Sequence, residues 1–262
     1  MSFDLSSITS GTIMRAPRII LLGVPKIGKS EWAAGAPDAV FLPQAGEEGI
    51  DSIDVSKTPL CRSFDDTRQW LGSLHSGEHN HKTVVIDSAS TAEPLIHEAV
   101  CAYHKVDTIE NVLGGWAKGF SEALKWWRVI LSGLDALRDD RQMASVIIGH
   151  VKVKRFDDPI AGAYDQYQFD IHEKAAAMLY KWADVILFAN IKTVVKGEDV
   201  GFNKEVKRGI DIAEGQRFLY TQRRPGHPGG GRGIYGRLPY EIPLSWDTFM
   251  SYVSASAAES NQ

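Results

Sequence analysis

The stretch Leu21-Leu22-Gly23-Val24-Pro25-Lys26-Ile27-Gly28-Lys29-Ser30, LLGVPKIGKS, decides the fold. It fits the pattern G-x-x-x-x-G-K-[S/T], directly after the apolar run Arg18 to Leu22 and before Ser30 to Ala36, a segment able to start a helix. Gly23 and Gly28 let the chain curl so that backbone N–H groups face phosphate oxygens. Lys29 can then reach the β and γ oxygens, the Ser30 hydroxyl suits Mg²⁺, and the helix start adds a positive dipole end. Pro25 stiffens the turn and Lys26 adds charge, so residues 23–30, with Val24 and Ile27, are together the expected nucleotide contact.

A nucleotide loop of this kind needs a carboxylate at the end of a second buried strand. Thr83-Val84-Val85-Ile86-Asp87-Ser88 supplies it, with Asp87 placed to hold Mg²⁺ through water beside Ser30. Hydrolysis also needs a group that orients water, and Gln44-Ala45-Gly46-Glu47-Glu48-Gly49 offers Glu47, with Glu48 as the alternative, just past another strand. The run Val146 to Gly149 ends at His150, which reads either as a sensor of the γ-phosphate or as a strand cap. Lys29, Glu47, Asp87 and His150 are therefore the catalytic set expected from the residues.

Working outward, 262 residues with 44% hydrophobic content fit one main α/β domain. Short aliphatic runs at 18–22, 39–42, 83–86, 145–148 and 184–189 read as strands buried on both faces, hence a mainly parallel sheet flanked by helices. Between them, Phe120, Leu124, Trp127, Leu131, Leu134 and Leu137 make one helical stripe over 118–138, with Trp126 leaning off it as cover. After Asn190 the segments 191–195, 205–212 and 217–222 read as an antiparallel meander extending the sheet. The expected organisation is an arm at 1–16, a domain at 17–250 whose antiparallel extension spans 190–240, and a solvated tail at 251–262.

The net charge of −4 excludes a bulk polycation, so any nucleic-acid contact must come from a local patch. Two cysteines, Cys61 and Cys101, without CxxC spacing, point away from a disulfide framework or a thiolate metal site. His75, Glu78, His79 and His81 in HSGEHNH read as a turn, because no helix spacing or cysteine supports a metal. There is no basic, apolar leader and no long apolar run, which sets the expectation of a soluble, cytoplasmic protein that does not engage a membrane.

Taken in order, the segments GVPKIGKS, AGEEGIDSIDV, KTVVIDSASTAEPLIHEAVC, GGWAKGF, VIIGHVKVKRFDDP, YDQYQFDIHEKAAAMLYKWADVILFAN and LPYEIPLSW resemble the phage-encoded RecA-like P-loop ATPases, a group of phage nucleotide-binding and AAA-type ATP-binding proteins. The resemblance spans roughly residues 17–250. It implies a RecA-like P-loop NTPase core using ATP and Mg²⁺, and, from the group's single-strand annealing recombinases, binding of single-stranded DNA and a part in annealing or homologous recombination. It also implies a homo-oligomer, ring or filament, a single-strand-binding protein as a partner, and the cytoplasm of a phage-infected host as the place of action. By position, Gly23, Gly28, Lys29 and Ser30 match the nucleotide loop, Asp87 the magnesium-side carboxylate, Glu47 the acid after the second strand, and His150 the residue opening a DNA-responsive loop. The competing classes are a nucleotide-switched motor or interaction protein in replication or packaging, and a scaffold that merely retains nucleotide.

Two basic stretches are candidates for DNA. Arg217 to Arg237 holds five arginines, including Arg223, Arg224 and Arg232, and no acid. Gly-rich chain with Tyr235 could follow a phosphate backbone and stack on bases, or an arginine could reach a neighbouring subunit's nucleotide. This chain's RRPGHPGGGRGIYGR is longer and richer in Gly than the short basic segment of the relatives. The second stretch, Val151 to Asp170, carries Lys152, Lys154 and Arg155 directly after His150, followed by the acids Asp157, Asp158, Asp165 and Asp170.

Overall fold

A computed structural model describes residues 4, 6, 8–11, 13–47, 49–159, 162–199, 205–211 and 215–259, with backbone alone for 193–199 and 205–211. The chain runs β1 (Arg18–Gly23), α1 (Lys29–Ala34), β2 (Ala39–Pro43), β3 (Ser56–Lys57), α2 (Phe64–Ser76), β4 (Thr83–Asp87), α3 (Ala89–His104) and α4 (Lys118–Arg141). It continues with β5 (Ala144–Gly149), β6 (Val151–Asp158), β7 (Gly162–Phe169), α5 (Glu173–Trp182), β8 (Val185–Ile191), β9 (Thr193–Asp199) and β10 (Glu205–Asp211). The last elements are β11 (Arg217–Tyr220), β12 (Gly230–Gly231), β13 (Glu241–Pro243) and α6 (Trp246–Glu259).

The main sheet has the order β13-β11-β8-β1-β5-β4-β2-β3, with β12 pairing β8. All five strands expected from the aliphatic runs are present, and β8, β1, β5, β4 and β2 pair in parallel. The runs are continuous because both faces are covered: Ile20 and Leu22 face the layer of α2 to α5, while Ile19 and Leu21 face the layer of α1 and α6. The stripe of α4 buries Trp127 to 1% exposure, and Trp126 lies half-buried against Phe64 at 4.7 Å, as cover. The architecture is an α/β P-loop NTPase-like fold with antiparallel strands added at one edge. Among the described residues no helix is long and apolar enough to cross a membrane.

Three expectations change. The meander is not continuous: β9 and β10 form a ribbon of their own, and β11 returns to pair with β8 and β13. The segment after His150 is a hairpin, β6 with β7, in which Val151 to Asp158 pairs with Gly162 to Phe169. The C-terminal stretch is not a solvated tail through its described length, since α6 reaches Glu259 with Val253 and Ser256 buried. Its Trp246 and Phe249 rings lie 4.8 and 5.5 Å from Trp32 of α1, so this helix closes one face of the sheet behind the phosphate loop.

The Gly-rich stretch 225–233 is also firmly seated. His227 stacks on Phe188 at 4.9 Å, and its Nε2 lies 2.9 Å from the Tyr240 hydroxyl. Gly229 has its Cα against main chain, where a Cβ would meet the Gln222 carbonyl group at 2.7 Å.

Candidate functional site

The loop between β1 and α1 turns through Lys26 at φ 63° and Gly28 at φ 99°, both left-handed, which brings Lys29 and Ser30 to the carboxyl ends of the parallel strands. Gly23 has no room for a side chain, since a Cβ there would sit 2.6 Å from the Ala189 carbonyl oxygen of β8. The helix that follows has only six residues, so its dipole adds little and Lys29 is the main positive charge of the loop. Lys29 is 6% exposed, and its Nζ donates to the carbonyl oxygens of Gly23 (3.0 Å) and Val24 (2.9 Å). Burial pulls its pKa down to about 8, against the opposing pull of Asp87 and Glu47.

Every member of the expected catalytic set meets at this point. The Ser30 hydroxyl donates to Asp87 Oδ2 at 2.7 Å, bringing together a hydroxyl and a carboxylate that could share one divalent cation with a phosphate. Burial raises the Asp87 pKa, helped by the charge of Glu47 and opposed by the Ser30 hydrogen bond and Lys29. Glu47 accepts from the Ser88 hydroxyl (2.8 Å) and lies 2.5 Å from His150 Nε2, while His150 Nδ1 is 3.5 Å from Lys29 Nζ. A tautomer with the proton on Nε2 satisfies both contacts, donating to Glu47 and accepting from Lys29. Burial pushes the Glu47 carboxyl up, but hydrogen bonds from His150 and Ser88, with the charge of Lys29, outweigh it, so the carboxyl titrates below its ordinary value.

Glu48, the alternative to Glu47, lies outside the described residues. Among the described residues no group of three or more His, Cys, Asp or Glu side chains could hold a metal ion. A cation at Ser30 and Asp87 would need phosphate and water for its other positions, which is the arrangement Mg²⁺ favours beside a nucleotide. In HSGEHNH, His75 pairs with Asp140 (2.7 Å) and His79 bonds the Leu74 carbonyl (2.7 Å).

Sequence reading missed three contributors. Ser88, next to Asp87, ties Glu47 in place, and the polar residue after the strand was its signal. Ser90 accepts the His150 backbone N–H through its hydroxyl (3.0 Å). Arg217 reaches the loop from β11: its Nη1 donates to the Ile27 carbonyl (3.3 Å) and Glu31 (3.0 Å). A Cβ on Gly28 would meet that same nitrogen at 2.3 Å. Beside this contact a cleft of about 290 Å³ opens between Gly28, Glu31, Arg217 and Asp247.

The two basic stretches converge on the other side of His150. Lys152 and Lys154 of β6 and Arg223 line one cleft of about 430 Å³, whose floor includes Phe169, Ile171 and Ile186. The Tyr167 N–H donates to the Gly226 carbonyl (2.9 Å) and Gln166 Nε2 to the Pro225 carbonyl (2.9 Å), which clamps the hairpin to the Gly-rich stretch. The remaining candidates point elsewhere: Arg155 stands opposite Asp165 on the exposed hairpin, Arg224 packs 3.5 Å over the Tyr240 ring, and Arg232 donates to the Lys181 carbonyl. Tyr235 is half-buried, and burial pushes its hydroxyl up to about 12. Of the four acids, Asp170 pairs with Lys152 at 2.9 Å.

A family model described as an AAA domain matches residues 15–233. Among solved structures, the crystal structure of the RadB recombinase is similar, with a TM-score of 0.37 and 15% identity, covering 76% of this chain and 90% of that one. No curated protein matches the sequence.

Proposed function

This chain belongs to the AAA-domain family, and we propose that it is a P-loop ATPase of the RecA/AAA type that binds and hydrolyses ATP with Mg²⁺ to control a grip on single-stranded DNA. Its proposed task is annealing or homologous recombination in phage DNA metabolism, carried out by a head-to-tail oligomer, ring or filament, beside a single-strand-binding protein.

One observation carries the reading. The His150 ring touches Lys29 and Glu47, and its backbone continues two residues later into Lys152 of the cationic cleft. A phosphate arriving at Lys29 would draw Nζ away from its carbonyl partners and from His150, and the change would pass directly to the start of β6. Lys29 and the loop amides would hold the β and γ oxygens, with Ser30 and Asp87 holding Mg²⁺. When bound, the cation would offset the charge developing on the transferred phosphoryl group. Glu47, ionised at neutral pH and fixed by Ser88 and His150, would orient the attacking water. The nucleoside would lie in the cleft beside Gly28, Glu31 and Arg217.

The arginines of 217–237 divide between two tasks in this reading. Arg217 serves the nucleotide, and Arg223 the strand, with Lys152 and Lys154. Arg155, Arg224 and Arg232 would add charge around the cleft rather than contact within it. Titration of labelled single-stranded DNA, with and without ATP, tests the proposal: binding that weakens steeply with salt is expected, and no salt-sensitive binding in either condition sinks it.

A further inference from the structure

We propose that the cleft between the β6–β7 hairpin, α5 and the segment 223–229 seats one unstacked nucleobase of the bound strand, with the neighbouring phosphates on Lys152, Lys154 and Arg223. The inference rests on the single-strand reading above and adds to it what is held and where.

The cleft joins two surfaces of different chemistry. Its floor is apolar, from Phe169, Ile171, Ala176, Tyr180 and Ile186, and its volume of about 430 Å³ is ample for a base with its sugar. Its rim carries three exposed cations, Lys152, Lys154 and Arg223, with the acid Glu173 beside them and Asp170 paired with Lys152 at 2.9 Å. Inorganic phosphate would use the rim and leave the apolar floor wet, whereas an uncharged apolar side chain would use the floor and give Lys154 and Arg223 no counter-charge. A nucleotide within a strand answers both, because a flat, weakly polar ring is flanked by negative phosphodiesters.

The cleft is also preformed. Tyr167 and Gln166 are bonded to the carbonyls of Gly226 and Pro225, and Gly229 fits against Gln222 only because it lacks a side chain. A seat built in advance does not spend binding free energy on ordering its own loops. Gln168 lines the same cleft with its Nε2 3.5 Å from Gln166 Oε1, so its amide oxygen is at hand for a base edge. The apolar floor accepts any base, so binding is expected to be tolerant of sequence.

The test compares a labelled oligo-dT with an abasic deoxyribose-phosphate strand of equal length and charge. The wild type is expected to bind oligo-dT about tenfold more tightly. Ala177 lies on an exposed position of α5 and lines the cleft, so Ala177→Trp should fill the seat and bring oligo-dT down to the abasic level. An unchanged melting temperature checks that this variant folds. Lys152→Ala with Lys154→Ala should instead weaken both strands and flatten the salt dependence by about two ions. Equal affinity of the wild type for the two strands, or a base preference surviving in Ala177→Trp, overturns the inference. Failure to bind either strand removes the single-strand reading itself. A labelled Glu-rich peptide ending in Phe that binds the wild type but not Ala177→Trp would reassign the cleft to a protein partner and overturn it as well.

Discussion

His150 separates two groups of cations that are held in opposite ways. On one side Lys29 is buried, bonded to two carbonyls and surrounded by Asp87 and Glu47. On the other, Lys152, Lys154 and Arg223 stand exposed around an apolar floor. A buried cation hydrogen-bonded only to neutral groups, whose burial Asp87 and Glu47 offset only in part, gains most from a further anion in direct contact, so the first side suits a small, highly charged ligand and responds sharply to it. Exposed cations cost little and gain through counterion release, so the second suits a long polyanion held by many weak contacts. His150, in contact with Lys29 and Glu47 and two residues before Lys152 in the chain, is the link through which a nucleotide could govern a grip made elsewhere.

The sharpest way to break this division is Lys29→Ala. Loss of the buried cation should weaken binding of a fluorescent ATP analogue by about 2–5 kcal/mol. Strand affinity measured without nucleotide should be untouched; a matching loss there would erase the distinction between the two sides.

Next in size is the effect of pH on the same group. With its pKa near 8 in the free protein, Lys29 loses its proton above that value and must regain it to hold phosphate. ATP affinity should therefore fall about tenfold between pH 7 and 9, with strand affinity in the absence of ATP as the internal control. A flat profile for ATP would show that Lys29 is not held as described.

The smallest effect concerns the joint beneath both sides. Glu93 of α3 accepts the His172 N–H at the start of α5 (2.7 Å), and burial pushes its pKa up to about 7, against the opposing pull of that bond. The unfolded chain gives up this proton near 4.5 and the folded chain only near 7, so the group costs stability progressively as pH rises between those values. Glu93→Gln, which can still accept the bond, should raise Tm by roughly 2–4 °C at pH 8 and leave it unchanged at pH 4. A larger gain at the lower pH would reverse the assignment.

The two sides also differ in how legible they were. The phosphate loop, Asp87, Glu47 and His150 could be read because each sits at the end of a short aliphatic strand buried on both faces, and such strands deliver their ends to one place. The cleft could not be read as one site, because it depends on residue 167 meeting residue 226, a pairing that no local pattern encodes. The alternation in Val151-Lys152-Val153-Lys154 was a strand signal, but the family resemblance implied a DNA-responsive loop after His150, where a hairpin stands. Arg217 was visible only as one arginine of a basic stretch, since its reach to Ile27 follows from β11 turning back to β8. The Gly-rich stretch read as chain able to follow a phosphate backbone, yet a buried His227 among Phe188, Tyr220 and Tyr240 pins it. The C-terminal helix was hidden by its Ser and Ala content, which gives a weak apolar stripe even where Val253 is buried.

The central claim is that His150 carries the state of the nucleotide site to the strand grip. The most direct measurement is the affinity for labelled single-stranded DNA with no nucleotide, with ADP and with a slowly hydrolysed ATP analogue, in the wild type and in His150→Ala. The account predicts a nucleotide-dependent change of about 5- to 150-fold in the wild type and its loss in His150→Ala, with ATP still bound by the variant. A strand affinity that is the same in all three nucleotide states of the wild type, or a full response surviving in His150→Ala, would contradict it.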